Sequence, residues 1–359
     1  MTPYTTPIAD VSAWKGDDLV RDRSWEFTLS EAQKKGLHDA LLQVKAQNLQ
    51  LAQVTQQNFL IPELEQLLGQ VQQTLVEGRG FAVLHGFPAD SYTLEELEVL
   101  YWGLCTYLGT GVTQNSEAGL IHYVTDGKLR PQQGARRVGN PAPIGLHVDL
   151  SDCVGLFCVR QAPDDPHSLV ASATTIYNKI LQQRPEWLPK LYEGFVWTRN
   201  DEEVADEGPV SPYKVPVFSE VNGKVTCRLN SGWIRKGIER LGKTFTDEEV
   251  EMFEFIRTTA IENSFDFPLH KGDIAFCNNY TVLHGRAGHA PITDEAQKRL
   301  LLRIWLDLPN VRPFVDEGLI RYGVIRHGKL GWTAADILAG NHHTPHRRRA
   351  DGVPAVATE

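Results

Sequence analysis

The apolar positions of this chain change their period about a third of the way along. Over the first hundred residues they recur at helical spacing. Ser30 stands ahead of Leu37, Leu41 and Val44, and Ile61-Pro62 precedes a stripe of Leu64, Leu67, Leu68, Val71 and Leu75 that stops at Gly78. These spacings predict two amphipathic helices, the first capped by Ser30 and the second opened at Pro62. The apolar run 81–84, closed by Gly86 and Pro88, predicts a buried strand. Thr93 with Glu96 forms a capping-box pattern and opens a third helix that runs toward Leu108.

Beyond residue 110 the apolar runs shorten and alternate with Gly, Pro, Asn and Asp. Strands are predicted over 120–124, 145–149, 154–160, 168–172, 195–198, 225–229, 273–277, 282–283 and 299–306. Such a pattern predicts a mainly β fold, a barrel or sandwich, with helices packed outside. Two stretches interrupt it. Residues 126–144 are polar, carry Arg130, Arg136 and Arg137, and are expected as a mobile loop leading into the strand of His147. Residues 246–263 read as an amphipathic helix capped by Thr246 and Glu249.

Composition narrows the function classes. The chain has 359 residues, 42% of them hydrophobic and 23% charged, which is ordinary globular usage and excludes a disordered or collagen-like chain. A net charge of −9 argues against general nucleic-acid binding, which needs a basic face. No apolar run is long enough to span a membrane, and the first residues lack the pattern of a secretory signal. The 5 cysteines contain no CxxC pair and are expected as free thiols, which suits a cytoplasmic protein. A homo-oligomer is compatible with all of this.

Three segments carry candidate chemistry. In Leu146-His147-Val148-Asp149-Leu150, residues two apart on a strand share a face, so His147 and Asp149 are expected side by side. Tyr280-Thr-Val-Leu-His284-Gly-Arg286 supplies a second histidine at the end of another apolar run. Two histidines and one carboxylate on one face of an octahedron leave three positions open, the arrangement of non-haem Fe(II) oxygenases. In Lys298-Arg299-Leu-Leu-Leu-Arg303-Ile-Trp305-Leu-Asp307, alternation puts Arg299 and Arg303 on one face with Trp305 and Asp307. Two guanidiniums on a buried face need an anion, and a carboxylate co-substrate supplies one through a paired N–H fork.

Together these segments resemble the taurine dioxygenase and clavaminate synthase-like (TauD/TfdA) family of Fe(II)- and 2-oxoglutarate-dependent oxygenases. The resemblance begins at Gly78-Arg-Gly-Phe-Ala-Val-Leu-His-Gly-Phe-Pro88, passes through Gly145-Leu-His147-Val-Asp149 and Asn278-Asn-Tyr-Thr-Val-Leu-His284-Gly-Arg286, and ends near Pro309. It implies a double-stranded β-helix, or jelly roll, with the metal inside one open end. It implies His147, Asp149 and His284 as iron ligands and Arg299 as the grip on the far carboxylate of 2-oxoglutarate. Arg303 becomes a substrate contact or a second co-substrate contact. Ser168 keeps the place of the family's co-substrate hydroxyl by count, although Asp165-Pro166 stand where the family has two glycines. As a turn or cap serine it would have no such role.

The organisation that follows is a single catalytic domain over 1–359. Residues 1–110 form a mostly helical buttress with the first strand, 111–310 the β core, and 311–359 a C-terminal extension. An insertion over about 200–265 is expected to cover the substrate side. The implied cofactors are Fe(II), 2-oxoglutarate and O2, and the implied reaction oxidises, most simply hydroxylates, a C–H of a small organic substrate with release of succinate and CO2. Arg303 favours a substrate with an acidic group. Gln114, Asn115, Arg137 and Arg228 are further candidates for the substrate site. The competing reading is a non-catalytic binding or structural protein on the same fold. A zinc hydrolase lacks support, because no HExxH pairing occurs.

Overall fold

The structure is a computed structural model and describes residues 2–115, 118–128, 139–200, 208–318 and 331–340. Its strands, in chain order, begin with β1 (Glu26–Thr28), β2 (Phe81–His85), β3 (Thr110–Val112), β4 (Ile121–Val124) and β5 (Ile144–His147). They continue with β6 (Cys153–Arg160), β7 (Ser168–Ser172), β8 (Phe218–Val221) and β9 (Lys224–Cys227), and then β10 (Phe265–Phe267), β11 (Ile274–Asn278), β12 (Val282–Arg286) and β13 (Leu300–Asp307).

One sheet runs β1-β2-β11-β6-β13-β3, with β4 also paired to β13; a smaller sheet runs β10-β7-β12-β5; β8 and β9 form a separate hairpin. Strand β13 shows why two layers form on either side of the larger sheet. Leu301 and Trp305 join a core shared with Val170, Ala171, Val282 and Leu283 of the smaller sheet. Leu302, Ile304 and Leu306 face the other way, into a second core built with the N-terminal helices. The alternation read along 299–306 is therefore real, and both faces are buried. The expected double-stranded β-helix, mainly β with flanking helices, is the fold observed.

The N-terminal helices fall where their caps predict. Ser30 accepts from the Gln33 amide ahead of helix Glu31–Ala46, and Thr93 accepts from the Glu96 amide ahead of helix Leu94–Cys105. Pro62 opens a 3-10 turn, Pro62–Leu64, before helix Glu65–Val76. Thr246 and Glu249 form the capping box of helix Asp247–Glu262.

Other expectations change. Residues 195–198 form isolated bridges, Phe195 to Val215 and Thr198 to Val210, in place of a strand. Helix Ala173–Gln183 follows β7 with no breaker between them, because Ser172 is both the last strand residue and the helix cap. Helix Asp247–Glu262 packs against helix Ala173–Gln183 and strands β5 and β7, and so backs the smaller sheet. Arg137, with Arg130 and Arg136, lies outside the described residues.

Candidate active site

The site begins with a strand pairing. His147 ends β5, and His284 sits in the middle of β12 as its direct antiparallel partner. Gly285 permits the close approach: a Cβ there would lie 2.7 Å from the Ile144 carbonyl oxygen. The two imidazoles face each other with ring centroids 4.5 Å apart.

Asp149 lies two residues past the end of β5, which corrects the expectation that plain strand alternation presents it beside His147. The chain there is pinned from several directions. The Val148 amide donates to the Leu229 carbonyl and the Asp149 amide to Asn279 Oδ1. Arg228 Nη1 donates to the carbonyls of Asp149 and Ser151. On the carboxylate itself, Oδ2 accepts from Trp305 Nε1 at 2.9 Å and from Arg303 Nη1 at 3.2 Å.

The donor atoms of His147, Asp149 and His284 all lie within 4.8 Å of one another. His147 Nε2 is 3.9 Å from Asp149 Oδ1, and His284 Nε2 is 3.8 Å from Asp149 Oδ2. These separations suit convergence on one ion, whose bonds to nitrogen and oxygen are about 2.0–2.2 Å. His147 Nδ1 bonds the Gly145 carbonyl at 2.8 Å, which assigns the proton to Nδ1 and leaves the Nε2 lone pair facing the cluster. Burial, then His147, pushes the His284 pKa down to about 3, so its imidazole is neutral. Burial opposes ionisation of Asp149, but Arg303, His284 and His147 outweigh it and hold the carboxyl well below its usual range. A neutral His284 imidazole beside an ionised Asp149 carboxylate, with the His147 Nε2 turned toward both, is a donor set that ligates a metal, so the residues present fit iron.

Two cavities adjoin the cluster. The first, of about 140 Å3, is lined by His147, His284, Ser168, Arg286, Arg299 and Arg303 among others, with no acid among the described residues on its wall. Arg299 is buried there. Its Nε donates to Gln161 Oε1 at 2.8 Å, and its Nη groups meet no acceptor among the described residues. Burial, and next Arg286, pushes the Arg299 pKa down to about 10, yet the guanidinium remains a cation at neutral pH. A buried cation with free N–H groups fits a carboxylate ligand. Ser168 pairs in register with Arg286 across β7 and β12, so it faces this cavity despite the Asp165-Pro166 turn.

The second cavity, of about 220 Å3, reaches His147, Asp149, Arg303 and Trp305 from the other side and is walled by Asn200, Asn230, Trp233 and Lys236. Three of these residues come from the cap and exposed face of helix Ser231–Arg240. Asn230 lies in the same Thr-Cys-Arg-Leu-Asn run as the candidate Arg228, but the sequence alone did not single out Asn200, Trp233 or Lys236. Spacing of three along an amphipathic helix was the one signal available.

Several candidates take other places. Arg228 lines neither cavity; its guanidinium is buried over Tyr280, 4.1 Å from the ring centroid, and donates to main-chain carbonyls. Gln114 is fully buried, accepts from Arg303 Nε and donates to the carbonyls of Arg303 and Leu120, so it holds Arg303 in place. Asn115 is buried and accepts from the Gly119 amide as a turn residue. Arg303 lines both cavities, but its charge is met by Asp149.

Comparison with known proteins agrees with this geometry. Residues 45–305 match the model of the "Taurine catabolism dioxygenase TauD, TfdA family". The chain belongs to that family, and the iron- and 2-oxoglutarate-dependent dioxygenase class expected from the sequence stands with it. The chain is 28% identical to FR-33289 synthase of Streptomyces rubellomurinus over 86% of this chain and 92% of that protein. It is 25% identical to a taurine hydroxylase-like protein of Stachybotrys chartarum over 83% of this chain and 79% of that one. The fold is also that of an asparagine oxygenase solved with Fe(II), 3-hydroxyasparagine and succinate, with a TM-score of 0.59 at 13% identity over 79% of this chain and 93% of that chain. No helix among the described residues is long and apolar enough to cross a membrane.

Proposed function

We propose that this protein hydroxylates a C–H of a small organic substrate bearing an acidic group, with His147, Asp149 and His284 holding Fe(II) and Arg299 and Ser168 holding 2-oxoglutarate. One observation carries the reading: three metal-competent donors adjoin a cavity on whose wall a buried guanidinium has unused N–H groups. When bound, iron with 2-oxoglutarate and O2 supplies the oxidising power that converts C–H to C–OH as 2-oxoglutarate becomes succinate and CO2.

The chain's own residues do the rest. Arg299 binds the far carboxylate of 2-oxoglutarate by its free Nη groups, and Ser168 offers a hydroxyl beside it. Trp305 and Arg303 hold Oδ2 of Asp149, which fixes the orientation of that carboxylate. Arg303 is itself held by Gln114. The second cavity holds the substrate against the cluster, its wall formed by helix Ser231–Arg240. The five buried, unpaired cysteines support a reducing, cytoplasmic location.

The test is succinate formation from 2-oxoglutarate by anaerobically Fe(II)-loaded protein on admission of O2. Wild type is expected to form succinate and His147→Ala is expected to form none. Equal succinate from both, or no 2-oxoglutarate binding by wild type, favours the non-catalytic reading of the same fold.

A further inference from the structure

Arg299 and Arg303 are held in the same way but differ in where their charge goes. Each donates its Nε–H to a glutamine Oε1 at 2.8 Å, Arg299 to Gln161 and Arg303 to Gln114. The Nη groups differ. Arg303 meets Asp149 at 3.2 Å, so its charge is answered within the protein. No carboxylate among the described residues pairs with Arg299, and the charged neighbour that acts on it is a second cation, Arg286.

A bulge in β6 puts the glutamine there. Leu302 lies opposite Phe157 and Leu301 opposite Cys158, but Leu300 lies opposite Arg160, so Val159 is an extra residue. Such a bulge re-aims the side chains beyond it. The shifted register, continued by one residue, brings Gln161 opposite Arg299; the unshifted one would face Arg299 with Arg160, cation against cation. Arg160 instead donates to the carbonyls of Lys298 and Glu295. The Gln161 amide has a single orientation. Its Nε2 donates to the Leu269 carbonyl at 2.8 Å, and its Oε1 accepts from the Ala162 amide at 3.0 Å as well as from Arg299. Turned end for end, it would set donors against the Ala162 and Arg299 N–H groups. Gln161 lines neither cavity beside the metal ligands, so it reaches a bound co-substrate only through Arg299.

We propose that Gln161 is a positioning residue of the co-substrate site: it fixes the Arg299 guanidinium through Nε and, being neutral, leaves the positive charge for the far carboxylate of 2-oxoglutarate. The proposal rests on the assignment of Arg299 to that carboxylate. A glutamate in the same place would accept the same Nε–H but would also meet the charge, as Asp149 does for Arg303.

The experiment is anaerobic titration of Fe(II)-loaded wild type, Gln161→Glu and Gln161→Met with 2-oxoglutarate and with 2-oxobutyrate, which has no far carboxylate, followed by tryptophan fluorescence. Gln161→Glu is expected to weaken 2-oxoglutarate binding by more than about tenfold, because a carboxylate against a buried guanidinium competes for its charge. Gln161→Met removes the acceptor without adding charge and is expected to weaken it by about twofold to tenfold, the worth of one hydrogen bond. Affinity for 2-oxobutyrate is expected to stay within about twofold of wild type in both variants, the range of a substitution that touches no feature of the site. A glutamine that served only the local structure would lower both affinities together. Equal losses for the two ligands, or a loss of 2-oxoglutarate affinity in Gln161→Glu no greater than in Gln161→Met, overturns the proposal. Wild type that binds 2-oxoglutarate no more tightly than 2-oxobutyrate overturns the assignment of Arg299 on which the proposal rests. Wild type that discriminates between them, with Gln161→Glu discriminating equally well, removes the role of Gln161 alone.

Discussion

His147 and His284 are direct partners across the β5–β12 pairing, with ring centroids 4.5 Å apart. A sheet register thus brings together two imidazoles that are remote in sequence, and register is strongly specified where a face is buried, since a one-residue slip would send every side chain to the opposite face. Asp149 joins them from an irregular exit that hydrogen bonds hold in place. The contrast between a register-fixed pair and a clasped third ligand gives the site its weak points.

Arg228 is the first of these. Its Nη1 donates to the carbonyls of Asp149 and Ser151, and its Nε to that of Gly318. Arg228→Met is expected to weaken Fe(II) binding by about tenfold to a hundredfold, in the range of lost outer contacts to metal ligands. Anaerobic metal titration checks it. Unchanged metal affinity with a raised KM for substrate would instead make Arg228 a substrate contact.

Arg299 governs the co-substrate. Arg299→Met is expected to weaken binding of 2-oxoglutarate by at least about tenfold, as loss of a charge-assisted pair implies, and binding of 2-oxobutyrate, which lacks the far carboxylate, by far less. Tryptophan fluorescence titration of both ligands measures the difference. An equal loss for the two would place the far carboxylate elsewhere.

Gln114 acts through Arg303. Its buried amide serves two carbonyls and the Arg303 Nε–H at once. Gln114→Leu strands those groups and is expected to cost about 1–3 kcal/mol of stability, because buried polar groups left without partners carry their desolvation penalty. Urea unfolding gives the value, and a change below about 0.5 kcal/mol, the range of an ordinary surface substitution, would contradict the role.

A pH dependence is built in away from the site. The hydrogen bond with Asp273 raises the His85 pKa, burial opposes this, and Asp273 and Glu26 add attraction. A histidine whose folded pKa is raised contributes stability that is fully present below its unfolded pKa, near 6.5, and is lost as pH rises through the folded pKa. His85→Gln is therefore expected to lower the melting temperature more at pH 5.5 than at pH 8.5. A deficit that is constant with pH would show that the pair adds no proton-linked stability.

The sequence made the ligand types legible because HxD and the distal His-Gly-Arg are local patterns, and it made β13 legible because strict alternation survives burial on both faces. It misled at Arg228, Gln114 and Asn115. Each is polar and close to a motif, which suggested a pocket, whereas buried carbonyls and amides needed their donors and acceptors. It was silent on Trp233 and Lys236, whose place depends on how Gly237 seats a helix against residues 196–198. Contacts of that kind are set by packing between distant segments, and no local pattern announces them.

The central claim, that His147, Asp149 and His284 converge on one ion, is tested most directly by anaerobic Fe(II) titration of wild type, Asp149→Ala and His284→Ala. One Fe(II) per chain is expected for wild type. Each variant is expected to lose more than about a hundredfold in affinity, beyond what outer contacts contribute. Wild-type affinity retained in either variant, or no stoichiometric binding by wild type, would contradict the account.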